Sequence, residues 1–220
     1  ATTTAAGTGN LTLRTGGTIN VNTALTAGAN LTLQTNGGKI ANSAAVSGVN
    51  VSIDNTNGTI DTTTGAITVG SANSGTAAAI EASGNITASG NLNLMGVSTN
   101  NAGIQVNNRA LSGANIQATG RVNSGGYGVI LNAGSSISST ASSGASLVKG
   151  INTAGGSNAL ISGAGVTFSA ATGSTLTVWG DGTNTADRAT RIDGGATTNG
   201  AVTIKGDGFP TTVIDFQRDP

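Results

Sequence analysis

Neither cysteine nor histidine occurs anywhere in the 220 residues. Without cysteine there is no disulfide framework and no thiol nucleophile, and without histidine there is no His-based triad. Zinc sites built on these two residue types are excluded with them. A lack of disulfides does not by itself assign a reducing compartment. Aromatics are reduced to one Trp, one Tyr and three Phe, with only two Pro. Nine basic residues cancel nine acidic ones. That neutral balance argues against nucleic acid, whose binding needs Lys/Arg patches to release counterions. No apolar run approaches the ~20 residues that span a bilayer, so no membrane insertion is expected. No cofactor is expected either. A basic-then-apolar leader is missing and Ala1 opens in mid-pattern, so the expectation is a piece of a longer polypeptide.

What is present is sparse and regular. Leu (12), Ile (16), Val (14) and Phe (3) make up about a fifth of the chain. Such a fraction borders on disorder, but disorder also expects high net charge and no spacing. Here Thr, Val and Ile favour strands, and the 36 Gly with many Asn and Ser supply turns. The phrase LTAGANLTL (25–33) is echoed by VSGVNVSI (46–53), ITASGNLNL (86–94), LSGANIQA (111–118) and ISGAGVTF (161–168). Asn10, Asn30 and Asn50 precede Leu11/Leu13, Leu31/Leu33 and Val51/Ile53 at a constant step. Asn91 follows across a gap with room for two turns, Ile67 and Val69 suiting the missing one. Asn115 comes next, and Gly165 later still, with Ile137 near the midpoint. A second phase holds Ile19, Ile40, Ile60 and Ile80; a third holds Leu25, Val46, Ile67 and Ile86.

Three short alternating segments per period predict three strands per turn, with Leu31 and Leu33 inward and Thr32 outward. One turn cannot bury its own apolar face, so stability must come from stacking. The fold expected is all-β, a right-handed parallel β-helix of roughly nine to eleven turns. Residues 1–180 carry the regular repeats. Residues 181–220 read as less regular, acidic turns of the same rod or as a different module starting near 180. Six of the nine acidic residues fall in the last 40 positions, while 82–180 contain none.

The aligned Asn10, Asn30, Asn50, Asn91 and Asn115 read as a structural corner ladder, since Asn tolerates left-handed backbone and bonds neighbouring amides. The Asn-apolar-Thr phrasing also writes glycosylation sequons at Asn10, Asn30, Asn50 and Asn85, which the repeat produces automatically. Arg109, Arg121 and Lys149 stand in the acid-free region and would form a shallow basic strip for acidic glycans if they fell on successive turns. The tract Gly180–Asp187, with Asp181 and Asp187, offers oxygen ligands to calcium, but not in the order of a known calcium loop. Among carboxylates for glycoside hydrolysis, Asp54 and Asp61 are close in sequence but expected on different faces, Glu81 comes about one turn further on, and Asp187, Asp193, Asp207 and Asp215 are the only dense set. The reading favours no catalytic, cofactor or metal residue, with Asp181, Asp187 and Asp193 kept as ligand-surface candidates. An outward column of Thr12, Thr32, Ser52 and Thr68, decaying to Asn93 and Gln117, carries an ice-binding alternative.

GNLTLRTGGTINVNTALTAGANLTLQTNGGKI (9–40) resembles the repeats of filamentous-haemagglutinin-like exoproteins of two-partner secretion systems, of the form Gly-x-Leu-x-Leu-x-x-x-Gly-Gly-x-Ile. Autotransporter passenger domains are nearly as similar. The resemblance covers 7–95 best, weakens to about 180 and is poor beyond, and no Asn-Pro-Asn-Gly secretion motif is seen. It implies a large secreted or surface-tethered protein of a Gram-negative bacterium, exported through an outer-membrane transporter. The implied role is structural or adhesive, with a host-cell or neighbouring-cell surface ligand, glycan included. A polysaccharide-acting enzyme or a glycan-binding module is the alternative.

Overall fold

A computed structural model describes residues 9–35, 40–42, 44–54, 78–153, 158–182, 189–207 and 214–217. Among them every regular element is a strand, and the strands pair in parallel. The first sheet stacks Leu11–Thr15, Asn30–Thr35, Asn50–Asp54, Leu92–Ser98, Ile116–Val122, Gly144–Asn152, Ser174–Gly182 and Ala201–Asp207, in that order. The second stacks Ile19–Val21, Ile40–Asn42, Ile80–Ala82, Ile104–Val106, Val129–Leu131, Leu160–Ser162, Thr190–Asp193 and Ile214–Gln217. The third stacks Leu25–Thr26, Val46–Gly48, Ile86–Ala88, Ala110–Gly113, Ser136–Ser139, Val166–Ala170 and Ala196–Asn199. Along the chain, strands fall into the first, second and third sheet in rotation. The protein is an all-β solenoid of stacked parallel strands.

Period-two alternation sets which side chains fill it. Leu31 and Leu33 are fully buried while Thr32 between them stays half-exposed. Parallel register then stacks like on like. Leu11 faces Leu31, Leu92 faces Ile116, Ile104 faces Val129, and Leu111 faces Ile137. The core is the sum of these columns, a continuous apolar filling, aliphatic but for Phe168, that runs from Val21 to Val178.

The expected nine to eleven turns are not supported, because the longest ladders hold eight strands. Ile40 pairs directly with Ile80, Val46 with Ile86 and Val51 with Leu92. No rung stands between these partners; Ile60, Ile67, Thr68 and Val69 lie outside the described residues. The physical reason is visible in the sequence, where a rung between them would need Ile67 to fill two columns at once. The fourth echo of the refrain is also displaced by one sheet. In LTAGANLTL the corner joins the third sheet to the first, whereas in ISGAGVTF it joins the second to the third. Ile137 therefore stacks between Leu111 and Phe168 rather than below Ile116.

Rungs lengthen from 92 onward, chiefly at the corner between the first and second sheets. Thr15 leads to Ile19 almost at once, but Gly180 leads to Thr190 only after a long excursion. These excursions leave the rod through a neck made of glycine. Gly96, Gly120, Gly150, Gly180 and Gly206 are register partners in one buried column. A Cβ on Gly96, Gly120, Gly150 or Gly180 would lie 2.0, 2.1, 2.0 or 1.9 Å from the carbonyl oxygen of Gly103, Gly128, Ala159 or Ala189 respectively. The returning backbone thus crosses in the space a side chain would occupy. Beyond the neck the excursions stack on one another: Asn123 N–H donates to Ser98 O at 3.1 Å, and Thr153 N–H to Val122 O at 3.2 Å. At the last neck, buried Thr190 accepts from Gly180 N–H at 2.9 Å and donates to Lys205 O at 2.8 Å, so a hydroxyl is satisfied inside an otherwise aliphatic column.

Candidate functional site

Asn30 N–H donates to Oδ1 of Asn10 at 3.1 Å, and Asn50 is the register partner of Asn30. Asn115 Nδ2 donates to Oδ1 of Asn91 at 3.3 Å. Oδ1 of Asn115 is buried without a partner and lies 2.4 Å from where a Cβ on Gly144 would sit, and Gly144 has φ 116°. Side chain and glycine therefore share that corner. A second ladder, which the sequence reading did not anticipate, runs along the exit of the second sheet. Asn107 Nδ2 donates to Ser83 Oγ at 2.9 Å and Glu81 Oε1 at 3.2 Å, while its Oδ1 accepts from Gln105 Nε2 and, at 2.6 Å, from Asn132 Nδ2. The half-buried amide is used on both sides, donating and accepting.

Arg109, Arg121 and Lys149 do not fall in one column. Arg109 sits before Ala110–Gly113 and donates from Nε to Ser83 O at 2.7 Å. Arg121 and Lys149 both lie in the first sheet but in different columns, because Thr119 faces Lys149 and Arg121 faces Ile151. Arg121 turns instead to Oδ1 of Asn123 at 2.9 Å. Arg121 and Lys149 are diagonal neighbours on the outer face of the first sheet, whereas Arg109 stands before a strand of the third.

What register does assemble is a cation–aromatic stack on the outer face of the first sheet. Lys149, Trp179 and Lys205 are consecutive register partners. The Nζ of Lys149 lies 3.5 Å from the indole centroid and that of Lys205 3.8 Å. Lys149 also pairs with Asp181 at 2.7 Å, with both side chains largely shielded. Asp181 in turn faces Asp207 one strand on, which is exposed. A column of cations around Trp179 therefore runs beside a column of carboxylates. Nε1 of Trp179 is buried with no hydrogen-bond partner, so the ring is held by its faces and not by its polar edge. Each partly exposed cation–π contact contributes about 0.5–1 kcal/mol. Trp179→Ala should therefore lower unfolding free energy by about 1–2 kcal/mol, and Trp179→Phe by less. Urea unfolding followed by circular dichroism measures both, since Trp179 is the sole indole.

Of the remaining acidic candidates, Asp193 pairs with Arg191 at 2.6 Å in the second sheet, away from Asp181 and Asp207. Asp215 is on the neighbouring strand, opposite Arg191. Asp61 and Asp187 lie outside the described residues, as does most of the Gly180–Asp187 tract. Among the described residues no three Asp or Glu gather in a way that would hold a metal ion. The outward column runs Thr12, Thr32, Ser52, Asn93, Gln117, Leu147, Thr177, Thr203, so hydroxyl residues return after a break of three. No family model, curated protein or solved structure matches this chain.

Proposed function

We propose that this chain is a structural and adhesive segment of a large secreted or cell-surface bacterial exoprotein, brought out through an outer-membrane transporter. It presents the outer face of the first sheet to a ligand on a host or neighbouring cell, glycan included. In this reading the coil is right-handed, as parallel crossovers overwhelmingly are, with three strands to the turn.

The observation that supports it is the first sheet itself. Eight parallel strands in one register give a long face on which each outward position forms a column. Such a face suits a repetitive or extended partner better than a small substrate, which asks for a concave pocket with converging polar groups. The Lys149–Trp179–Lys205 stack beside Asp181 and Asp207 is its most differentiated patch, combining one aromatic with both signs of charge.

Beads coated with the chain should bind epithelial or bacterial cells saturably, and soluble chain should compete. The stack variant Trp179→Ala, checked for retained strand signal, should bind less. Cell binding equal to that of bare beads removes the adhesive reading. Release of reducing ends from a polysaccharide panel would replace it with an enzymatic one.

A further inference from the structure

Gly200 alone carries the chain from the third sheet to the first, between Ala196–Asn199 and Ala201–Asp207. A side chain does not fit there. Its φ is 79°, and a Cβ would lie 2.0 Å from the carbonyl oxygen of Ala170. The corner is tightened by Val202 N–H, which donates to Gly200 O at 3.1 Å. Sterics thus demand a glycine, and the residue before it is an asparagine. Among the described residues Asn199 is the one asparagine that glycine follows; Asn10, Asn85, Asn91 and Asn115 precede Leu or Ile. Asn199 is exposed and continues the outward column Thr87, Ser112, Ser138, Ser169 of the third sheet. Its Nδ2 donates to Ser169 Oγ at 3.4 Å, longer than a firm hydrogen bond.

We propose that Asn199–Gly200 is a self-modifying site, at which Asn199 passes without an enzyme through a cyclic imide to aspartate and isoaspartate. The Gly200 nitrogen gives its proton to hydroxide and attacks Cγ of Asn199, closing a succinimide. The Cγ–Nδ2 bond breaks with its electron pair on nitrogen, which takes a proton from water and leaves as ammonia. Water then adds to either imide carbonyl. Opening at Cγ gives aspartate; opening at the main-chain carbonyl gives isoaspartate, with Cβ now part of the backbone. Nothing is oxidised or reduced. A side chain on the following residue would crowd the attacking nitrogen, and glycine has none. Asn199 is also the last residue of its strand, where the rotation that ring closure needs disturbs the ladder least.

The products differ in what they do to the rod. Both put a carboxylate at the end of a run of hydroxyls. Isoaspartate also lengthens the corner by one carbon, directly before the strand that sets Lys205 against Trp179. Lys205 then loses its place over the ring, while Lys149, held by Asp181 on the other side, keeps its own. That a loosened stack holds its ligand less well rests on the adhesive reading; the modification itself does not.

Peptide mass mapping of the chain, aged at body temperature in mildly alkaline buffer, tests this. Trypsin releases 192–205, in which Asn199 is the sole asparagine, and 122–149, with Asn123 before Ser124 and Asn132 before Ala133. The first should gain the mass of an amide turned to acid and split into two isomers, isoaspartate in excess. Its rate should rise in proportion to hydroxide, and 122–149 should stay almost unchanged. Trp179 emission should shift as isoaspartate accumulates. Asn199→Gln should hold its mass and emission, because its longer side chain closes a ring far more slowly. Fresh Asn199→Asp has the charge without the extra carbon and should keep the parent emission. A 192–205 peptide that ages no faster than 122–149 overturns the proposal, and modification with steady Trp179 emission overturns the link to Lys205. Neither readout involves cell binding, so failure here is distinct from failure of the adhesive reading.

Discussion

Gly150→Ala should melt well below the parent chain, by about 6–12 °C for a loss of about 3 kcal/mol. The added carbon would lie 2.0 Å from the Ala159 carbonyl oxygen, 2.7 Å from its carbon and 3.1 Å from Cβ of Leu160. Two of those three atoms are backbone, held by the second sheet through Val129 N–H to Ala159 O at 3.0 Å. No flexible side chain can yield, so the strand or the neck must move. Gly150 is flanked in register by Gly120 and Gly180, and a shift there carries to both. Its backbone is not in the left-handed region, so the effect is purely steric. Gly165 provides the opposite case, with φ 67° and nothing within 4 Å of an added Cβ. Gly165→Ala should cost only the conformational term, about 1–2 kcal/mol. Thermal unfolding by circular dichroism compares the two, and equal shifts would show that the neck is not tightly closed.

That neck was legible in the sequence but concealed by the stronger pattern. LNLMG, IQATG, SLVKG, LTVWG and VTIKG each place a glycine two residues after an inward position of an alternating strand. The earlier strands LTLRT and LTLQT have threonine there, and their rungs stay short. A search tuned to a constant step finds Asn10, Asn30 and Asn50 and then loses count, because later rungs grow at the neck. Strand type and inward parity survive such growth, since they depend on period-two alternation within a few residues. Turn number does not survive it, because it depends on every excursion between strands.

The same distinction decides how much of the candidate site was readable. Lys149 and Asp181 were visible as charged positions, yet nothing local to either says that they meet at 2.7 Å. They meet because Lys149 faces Trp179, two residues from Asp181 on the same strand. Arg109, Arg121 and Lys149 look evenly spread along the chain, but Arg109 stands at the third sheet while Arg121 and Lys149 fall two register positions apart on the first, which alternation alone cannot give. Asn107 was passed over because it follows its strand instead of preceding one, so it fell outside the corner pattern set by Asn10. The resemblance to exoprotein repeats was carried by the constant-step part of the chain, whereas the charged stack lies where the step has changed.

Phe168→Ala should be the other large loss, about 3–5 kcal/mol, seen as a melting point lower by roughly 6–20 °C. Phe168 heads the fully buried side chains by size and is 0% exposed. In its column it follows Leu111 and Ile137 and precedes Thr198, whose strand is largely exposed. The ring is thus the last bulky filling of the third sheet before the polar end, and no neighbour on that side can collapse into the space it leaves. Phe168→Leu keeps most of the volume and should cost under about 1.5 kcal/mol. Because each rung touches mainly its neighbours, the damage should stay local. Hydrogen exchange should quicken across 160–207 in Phe168→Ala while amides of 80–120 keep their protection. Uniform acceleration along the whole chain would mean that the solenoid unfolds as one unit, and a loss below about 1 kcal/mol would mean that the end of the rod repacks around the gap.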